Sequence, residues 1–168
     1  LGVFEKLDYI KSLRCDGIWF SPLYPSPGVD CGYDISDYYD IAEEFGGLDA
    51  FRKVLDGAHE RGMKVIMDLV VNHTSTENAW FKEACQYIRE NGKPGGEYGD
   101  FYNFRQGTAS NYHQVSGTPY YYEGQFWSGM PDLNLNSENV REEIKKIMSF
   151  WLEDCDIDGF RLDAVTSY

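Results

Sequence analysis

Apolar side chains recur at helical spacing in three stretches of the chain, and a short apolar run follows each stretch. The stripes predict three helices and consist of Val3, Phe4, Leu7, Ile10 and Leu13, then Leu48, Phe51, Val54, Leu55 and Ala58, and finally Val140, Ile144, Ile147, Met148, Trp151 and Leu152. The runs that follow predict strands at residues 18–20, 65–67 and 159–162. Gly62 suits the end of the second helix, and Asn136 or Ser137 suits the N-cap of the third.

The three predicted strands are near-continuous apolar runs and do not alternate between apolar and polar side chains. Strands of this kind, reached through helices, are typical of a parallel sheet that is covered on both faces. We therefore expect an α/β fold.

Residues 74–135 interrupt this rhythm with turn-forming residues at 92–96 and an aromatic patch at 120–127. We interpret them as an inserted subdomain whose one regular feature is a helix near residues 78–89, with an apolar face made of Phe81, Ala84, Cys85 and Ile88. The predicted organisation is thus 1–73, the insertion 74–135, and the continuation 136–168.

The charge balance disfavours two classes of binding partner. The chain has 15 basic and 28 acidic side chains, a net charge of −13, which disfavours binding to nucleic acid or to an anionic membrane surface. The apolar run at 65–71 is far shorter than the roughly 20 residues of a membrane-spanning helix. We expect no nucleic acid and no membrane as partners, and the sequence makes no prediction of oligomeric state.

Four widely spaced cysteines match no zinc or redox motif, which favours reduced thiols. The first residues form a helical pattern and lack the features of a signal peptide. Both observations favour a cytoplasmic protein.

Arg161 and Asp163 form the sharpest candidate for chemistry. Alternation along the last strand places both side chains on one side, where the cation favours the charged form of the carboxylate. Asp163 would then be a competent nucleophile. A buried ion pair that serves only the fold explains the same spacing equally well.

A second cluster is Asp68, Asn72 and His73, at the end of the second strand. Active sites of parallel barrels lie at that end of the strands. His73 could equally be a structural histidine, and for Asp68 we favour a structural carboxylate that accepts hydrogen bonds. The sequence at 72–74 also matches a glycosylation sequon, which we interpret as accidental.

A third cluster contains Tyr33 and Asp34, followed by Tyr38 and Tyr39, in the loop after the first strand. An aromatic face beside a carboxylate suits a sugar, although a turn that merely packs its tyrosine rings has the same composition. The chain has no GxSxG, HExxH, Walker or GxGxxG motif, so serine hydrolases, zinc proteases and nucleotide enzymes lose their main support.

The segments SPLYPSP, GYDISDY, DLVVNHTS, MPDLN and GFRLDAV occur in this order along the chain. Together they resemble the successive signatures of the alpha-amylase family of glycoside hydrolases, in particular its alpha-glucosidase and oligo-1,6-glucosidase branch. The resemblance implies part of a TIM (β/α)8 barrel, with strands two to four present and domain B inserted after the third barrel strand.

The resemblance also implies roles for individual residues. Asp163 is the implied nucleophile and Arg161 its support, whereas Tyr33, Asp34 and His73 are implied to hold a glucose unit. Asp68 and Asn72 are implied to support the site or, in some members, a calcium ion, and MPDLN marks the return from domain B. The reaction that the resemblance implies requires no cofactor, and the resemblance allows a structural calcium ion.

The family's general acid, a Glu after the next barrel strand, has no counterpart in these 168 residues. We therefore expect a segment of a longer enzyme and expect the segment alone to be inactive. The residues after Ala164 lack the Lys and His that alpha-amylases proper often carry there, which favours short oligosaccharides as substrates. Small Ala164 favours α-1,4 over α-1,6 linkages.

Several related functions remain as alternatives to an α-glucosidase. They are a transglycosylase, a sucrose- or trehalose-acting relative, a non-catalytic family member, and a sugar-binding module that uses the aromatic residues at 120–127. The joint presence of Asp163, Arg161, His73 and Tyr33 argues against a non-catalytic member.

Overall fold

The computed structural model describes residues 2–167, and its centre is a parallel sheet of three strands. These are β1 (Gly17–Phe20), β2 (Lys64–Leu69) and β6 (Gly159–Leu162), with β2 in the middle. Met67 on β2 lies opposite Phe20 on β1 and Phe160 on β6. The three predicted strands are confirmed, and their parallel pairing confirms the α/β fold.

The helices that precede these strands differ in how well they match their predictions. The helix α3 (Gly47–Glu60) ends before Gly62, which has a φ of +64°, a value that favours glycine. The helix α5 (Glu138–Ser149) begins after Ser137, whose hydroxyl accepts a hydrogen bond from the Val140 N–H at 3.3 Å. Ser137 is therefore the N-cap, and α5 ends in a π-helical turn, Phe150–Asp154.

The opening segment differs from the single amphipathic helix that its apolar stripe predicts. It forms two short helices, α1 (Gly2–Glu5) and α2 (Leu7–Ser12), and Leu7 is the only stripe residue that is fully buried. Leu7 and Phe4 pack against Gly57 on α3, where a Cβ atom would lie 2.8 and 3.0 Å from their side chains. The remaining stripe residues gain little burial because α3 covers only this part of the segment.

A core beneath the sheet joins the loop after β1 to the last helix. Trp151 is fully buried and donates its indole N–H to the carbonyl of Tyr38 at 2.7 Å. The Tyr24 hydroxyl donates to the carbonyl of Asp68 at 2.8 Å. These bonds hold the loop against the carboxyl end of β2, where the candidate site lies.

The insertion contains more regular structure than the sequence predicts. The predicted helix is present as α4 (Ala79–Asn91), but three short antiparallel strands accompany it: β3 (Phe104–Gln106), β4 (Tyr112–Gln114) and β5 (Tyr120–Glu123). The expectation of a single regular feature was wrong, because strands of three or four residues are too short to show a clear alternation. The boundaries at 73 and 135 stay a prediction.

The insertion has its own hydrophobic cluster, which packs α4 against the small sheet. Its buried members include Phe81, Ala84, Cys85, Ile88, Phe101, Tyr102 and Tyr122. Within the described part of the chain, no helix has the length and hydropathy that a membrane crossing requires.

Candidate active site

The carboxyl ends of β2 and β6 bring three charged side chains together. Asp68 lies opposite Arg161 in the strand register, and Asp163 directly follows β6. The Nη1 atom of Arg161 donates to both carboxylate oxygens of Asp68, at 2.9 and 3.0 Å, and to Oδ1 of Asp163 at 2.7 Å. The predicted placement of Arg161 and Asp163 on one side of the strand is thereby confirmed.

The two carboxylates on this cation differ in exposure. The side chain of Asp68 is completely buried, whereas that of Asp163 retains 19% of its exposure. A buried carboxylate can serve only its protein neighbours, but an accessible one can reach a substrate. The arrangement therefore suits Asp68 to orient Arg161 and leaves Asp163 open for chemistry.

Hydrogen bonds to Asp68 offset the cost of its burial. The Tyr33 hydroxyl donates to Oδ2 of Asp68 at 3.2 Å, in addition to the bonds from Arg161. Burial raises the pKa of Asp68, and the bonds from Arg161 and Tyr33 oppose that rise. These contacts support the interpretation of Asp68 as a structural carboxylate.

Arg161 is held from two directions. Its guanidinium carbon lies 5.4 Å from the centre of the Trp19 ring, within the range of a cation–π contact. The hydrogen bond to Asp68 raises the pKa of Arg161, so the side chain remains a cation. Asp163 therefore faces a permanent positive charge.

His73 is buried and connects to this cluster through Tyr33. Its Nδ1 lies 3.2 Å from the amide nitrogen of Asn72, which can only donate, so Nδ1 is the acceptor. The Nε2 atom then carries the proton and donates to the Tyr33 carbonyl at 3.2 Å. Burial lowers the pKa of His73, which favours this neutral tautomer.

Asn72 supports His73 from within the protein. Its side-chain oxygen accepts from Nε2 of Gln125 at 3.0 Å, and its nitrogen also donates to Oδ1 of Asp132 at 3.3 Å. Asn72 is 3% exposed, so its amide is inaccessible to a glycosylating enzyme. This burial agrees with the interpretation of the sequon as accidental.

The structure places Asp34 beneath the loop surface. It is 1% exposed, and its carboxylate accepts from the Ser26 hydroxyl at 2.8 Å and from the backbone N–H groups of Val29 and Asp30 at 3.0 and 3.1 Å. A direct contact between Asp34 and a sugar would require the loop to move, and that role stays a prediction. The neighbouring Asp30 is exposed, so the two carboxylates of this loop differ in accessibility.

Tyr38 and Tyr39 do not belong to an open aromatic face, so that part of the prediction was wrong. Tyr38 is 2% exposed and stacks on Trp80, and its hydroxyl shares one proton between the carbonyls of Val70 and His73, at 2.9 and 2.7 Å. The Tyr39 hydroxyl donates to Glu143 at 2.7 Å. Both rings are structural, as expected for a turn that packs its tyrosines.

Phe126 contributes an aromatic surface that the sequence did not assign to the site. It is 49% exposed, and its ring meets that of His73 edge to face with centres 5.3 Å apart. Phe126 belongs to the insertion, 53 residues from His73 in sequence, so the local sequence carries no sign of the contact.

The residues implied for a calcium ion do not fit one here. Both oxygens of Asp68 accept from Arg161, and the amide oxygen of Asn72 accepts from Gln125. Among residues 2–167, no three His, Cys, Asp or Glu side chains cluster as metal ligands. Arg161 supplies the positive charge that the carboxylates face.

The chain is similar to known proteins in sequence. Residues 1–168 match the family described as the alpha-amylase catalytic domain. An oligo-1,6-glucosidase of Parageobacillus thermoglucosidasius is 43% identical over 98% of this chain and 30% of its own length. A trehalose-6-phosphate hydrolase of Bacillus subtilis is 42% identical, with the same shares covered. The chain thus spans about 30% of the length of these curated relatives.

Solved structures agree with the sequence comparison. Eubacterium rectale Amy13B matches with a TM-score of 0.94 and 49% identity over 99% of this chain and 33% of its own. The trehalulose synthase MutB from Pseudomonas mesoacidophila matches with a TM-score of 0.90 and 34% identity over 99% and 31%. The parallel sheet and the charged cluster at its carboxyl end are therefore part of a TIM barrel, and the chain belongs to the alpha-amylase family of glycoside hydrolases.

Proposed function

We propose that the protein is a retaining α-glucosidase that acts on short α-linked gluco-oligosaccharides, with Asp163 as its nucleophile. The observation that carries this proposal is the shared cation: Arg161 pairs with a fully buried Asp68 and with an accessible Asp163. A purely structural ion pair does not need a second, solvent-accessible carboxylate. The family's oligosaccharide-acting members support the substrate class.

The placement of Asp163 beside Arg161 supports a reaction in two steps. The Asp163 carboxylate attacks the anomeric carbon, a bond forms between them, and the glycosidic C–O bond breaks. A second carboxyl group of the complete protein, roughly 5 to 5.5 Å from Asp163, protonates the departing oxygen. That group then removes a proton from a water molecule, whose oxygen bonds to the anomeric carbon while the bond between that carbon and Asp163 breaks, which releases glucose in the α configuration. The two carboxyl groups suffice, so the reaction needs no cofactor.

Neighbouring side chains have supporting roles in this scheme. Neutral His73, whose Nε2–H donates to the Tyr33 carbonyl, lies against Phe126, and the exposed ring of Phe126 offers a face for the apolar side of a sugar. Asp34 shapes the loop that carries Asp30. Arg161 keeps a positive charge next to the nucleophile.

The anomeric outcome and the released sugar test the proposal. We expect the complete protein to release glucose from maltose-type oligosaccharides, and NMR recorded within the first minutes should show the α anomer. Release of the β anomer would exclude a retaining mechanism, and absence of hydrolysis with any short α-glucoside would exclude the function.

A transglycosylase is the second candidate, because a trehalulose synthase shares this fold with a TM-score of 0.90. The covalent glucosyl intermediate would be the same, but a sugar hydroxyl would replace water as acceptor. Product analysis with sucrose or trehalose separates the two, since an isomeric disaccharide would accumulate in place of free glucose. A sugar-binding module is less favoured, because sugar binding alone does not account for an accessible carboxylate on the cation that Asp68 holds.

Linkage preference depends on the space beside the nucleophile. We propose that α-1,4 bonds are preferred over α-1,6 bonds, because Ala164 is small and leaves room for the departing sugar. Ala164 has a φ of +53°, a conformation in which a β-branched side chain is strained. Val165 and Thr166 are exposed and Ser167 is half-buried, whereas Tyr168 lies outside the described residues.

We expect the Ala164→Val variant to narrow or reverse the ratio of kcat/KM for maltose to that for isomaltose, by about five- to tenfold, because added methyl groups crowd the aglycone sugar. Backbone strain lowers both values together and cancels in the ratio. Ala164→Ser is the matched control, since it adds one atom without branching. A wild-type preference for isomaltose, which the name oligo-1,6-glucosidase of several relatives suggests, would overturn the proposal.

A further inference from the structure

The side chain of Gln125 joins two elements that carry the groups of the proposed mechanism. Its Nε2 atom donates to the side-chain oxygen of Asn72 at 3.0 Å and to the backbone carbonyl of Ser167 at 3.3 Å. Asn72 follows β2, and Ser167 lies four residues after Asp163. The two amide protons of Gln125 are therefore donated to two different segments of the chain, one after β2 and one after β6.

The Ser167 contact anchors the segment that follows the nucleophile. The Asp163 N–H donates to the carbonyl of Leu69 at 3.2 Å, which is the last backbone bond to β2 among the described residues of this segment. The chain then turns at Ala164, and the Ser167 N–H donates back to the Ala164 carbonyl at 2.8 Å. Gln125 binds the carbonyl of Ser167 at the end of this turn.

The Asn72 contact determines which ring nitrogen of His73 carries the proton. An amide oxygen that accepts from Gln125 directs the amide nitrogen of Asn72 towards Nδ1 of His73. That bond leaves the proton of the imidazole on Nε2. One glutamine thus connects the nucleophile loop with the tautomer of His73.

The main chain of Gln125 is held independently of its side chain. Its backbone N–H donates to Oδ2 of Asp132 at 3.1 Å, and Asp132 is 5% exposed. Substitution of the side chain therefore leaves the backbone anchor in place. The effects of losing the two amide contacts can be measured separately from loss of the insertion's fold.

We propose that Gln125 is a positioning residue, which holds the turn at residues 164–167 against Asn72 and so sets the approach of Asp163 to the sugar bound beside His73. The inference rests on the proposed function for its catalytic consequence. The anchoring itself is a property of the loop and does not depend on the substrate.

The first test measures hydrogen exchange of the complete protein over residues 164–167. We expect Gln125→Met, which keeps the length and removes both donors, to speed exchange there by about tenfold or more. The matched control is Gln114→Met on the exposed strand β4, where the lost bond is a local one to the Thr118 carbonyl at 2.9 Å. Exchange over 164–167 that is equal in the two variants would overturn the proposal.

The second test measures kcat and KM with an activated aryl α-glucoside. We expect Gln125→Met to lower kcat by about tenfold or more while KM changes by less than about threefold, because misplacement of the nucleophile affects the reaction more than binding. Gln125→Lys should restore most of kcat, since its ammonium group can donate to the same two oxygens. Gln125→Asn keeps the amide but is one methylene too short, so it should behave like Gln125→Met.

The two measurements separate two kinds of failure. If the wild-type protein cleaves no α-glucoside, the proposed function is wrong, and the exchange data still decide whether Gln125 anchors the turn. If the wild type is active and Gln125→Met retains its kcat, the positioning role is wrong. If Gln125→Met does not fold, Gln125→Asn and Gln125→Lys supply the comparison.

Discussion

Replacing Asp163 by Asn should lower turnover of α-glucosides by several orders of magnitude while leaving the fold intact. The amide has almost the volume of the carboxylate, and its oxygen can still accept the hydrogen bond from Arg161, which is 2.7 Å long in the native site. A neutral amide is a poor nucleophile, so the covalent intermediate should not form. Binding of the intact sugar in the ground state should largely persist.

Steady-state kinetics, a thermal melt and calorimetric binding of maltose together check this expectation. Asp156→Asn is a suitable control, because Asp156 lies just before β6, its side chain is 88% exposed, and its φ of +64° is one that Asn accepts well. The control should keep wild-type turnover. If Asp163→Asn retained even a tenth of wild-type kcat, another group would have to be the nucleophile.

The fold could be predicted from sequence where burial acts on a continuous segment. Val65 and Met67 are fully buried in the central strand, and a strand buried on both faces is apolar at successive positions. The sequence predicted one opening helix, but the structure has two short ones, α1 and α2. The periodicity of the apolar residues does not show how little of this segment α3 covers. The three short strands of the insertion pair with residues distant in sequence, so no local pattern predicts them.

The site shows the same division between local and distant information. Arg161 and Asp163 are two residues apart, so alternation alone places them together. The exposure of Asp30 and the burial of Asp34 depend on a loop that folds back on itself, and the sequence cannot distinguish two carboxylates four positions apart. Gln125 contacts residues 53 and 42 positions away, and its part in the site emerges only from the three-dimensional structure.

Removal of the shared cation should have the second largest effect. We expect Arg161→Met to lower kcat/KM by about a hundredfold or more, because Asp163 loses the hydrogen bond and the positive charge that hold it in position. Met preserves the length and apolar contact of the side chain with Trp19. Arg161→Lys is the matched control, since it keeps the charge but not the planar group that lies over that ring. Equal activity in wild type and Arg161→Met would show that the cation has no part in the chemistry.

The stability of Arg161→Met should depend on pH through Asp68. Burial already raises the pKa of Asp68, and loss of the hydrogen bond from Arg161 removes the main opposing influence. A carboxyl group whose pKa is higher in the folded state than in the unfolded state binds more protons when folded, so stability falls as pH rises between the two values. The variant should therefore lose little stability in acid and about 3 kcal/mol near neutral pH, where a buried charge has lost its partner.

Thermal melts from acidic to neutral pH, with Asp68→Asn added to the Met variant, separate this electrostatic cost from simple loss of packing. The double variant has no buried carboxylate at position 68, so its stability should no longer fall with pH in the way that of Arg161→Met does. It should regain most of the stability lost near neutral pH, yet remain as inactive as the single variant, because Asp163 still lacks its cation. If the double variant were as unstable as Arg161→Met at every pH, packing of the arginine and not the charge on Asp68 would explain the loss.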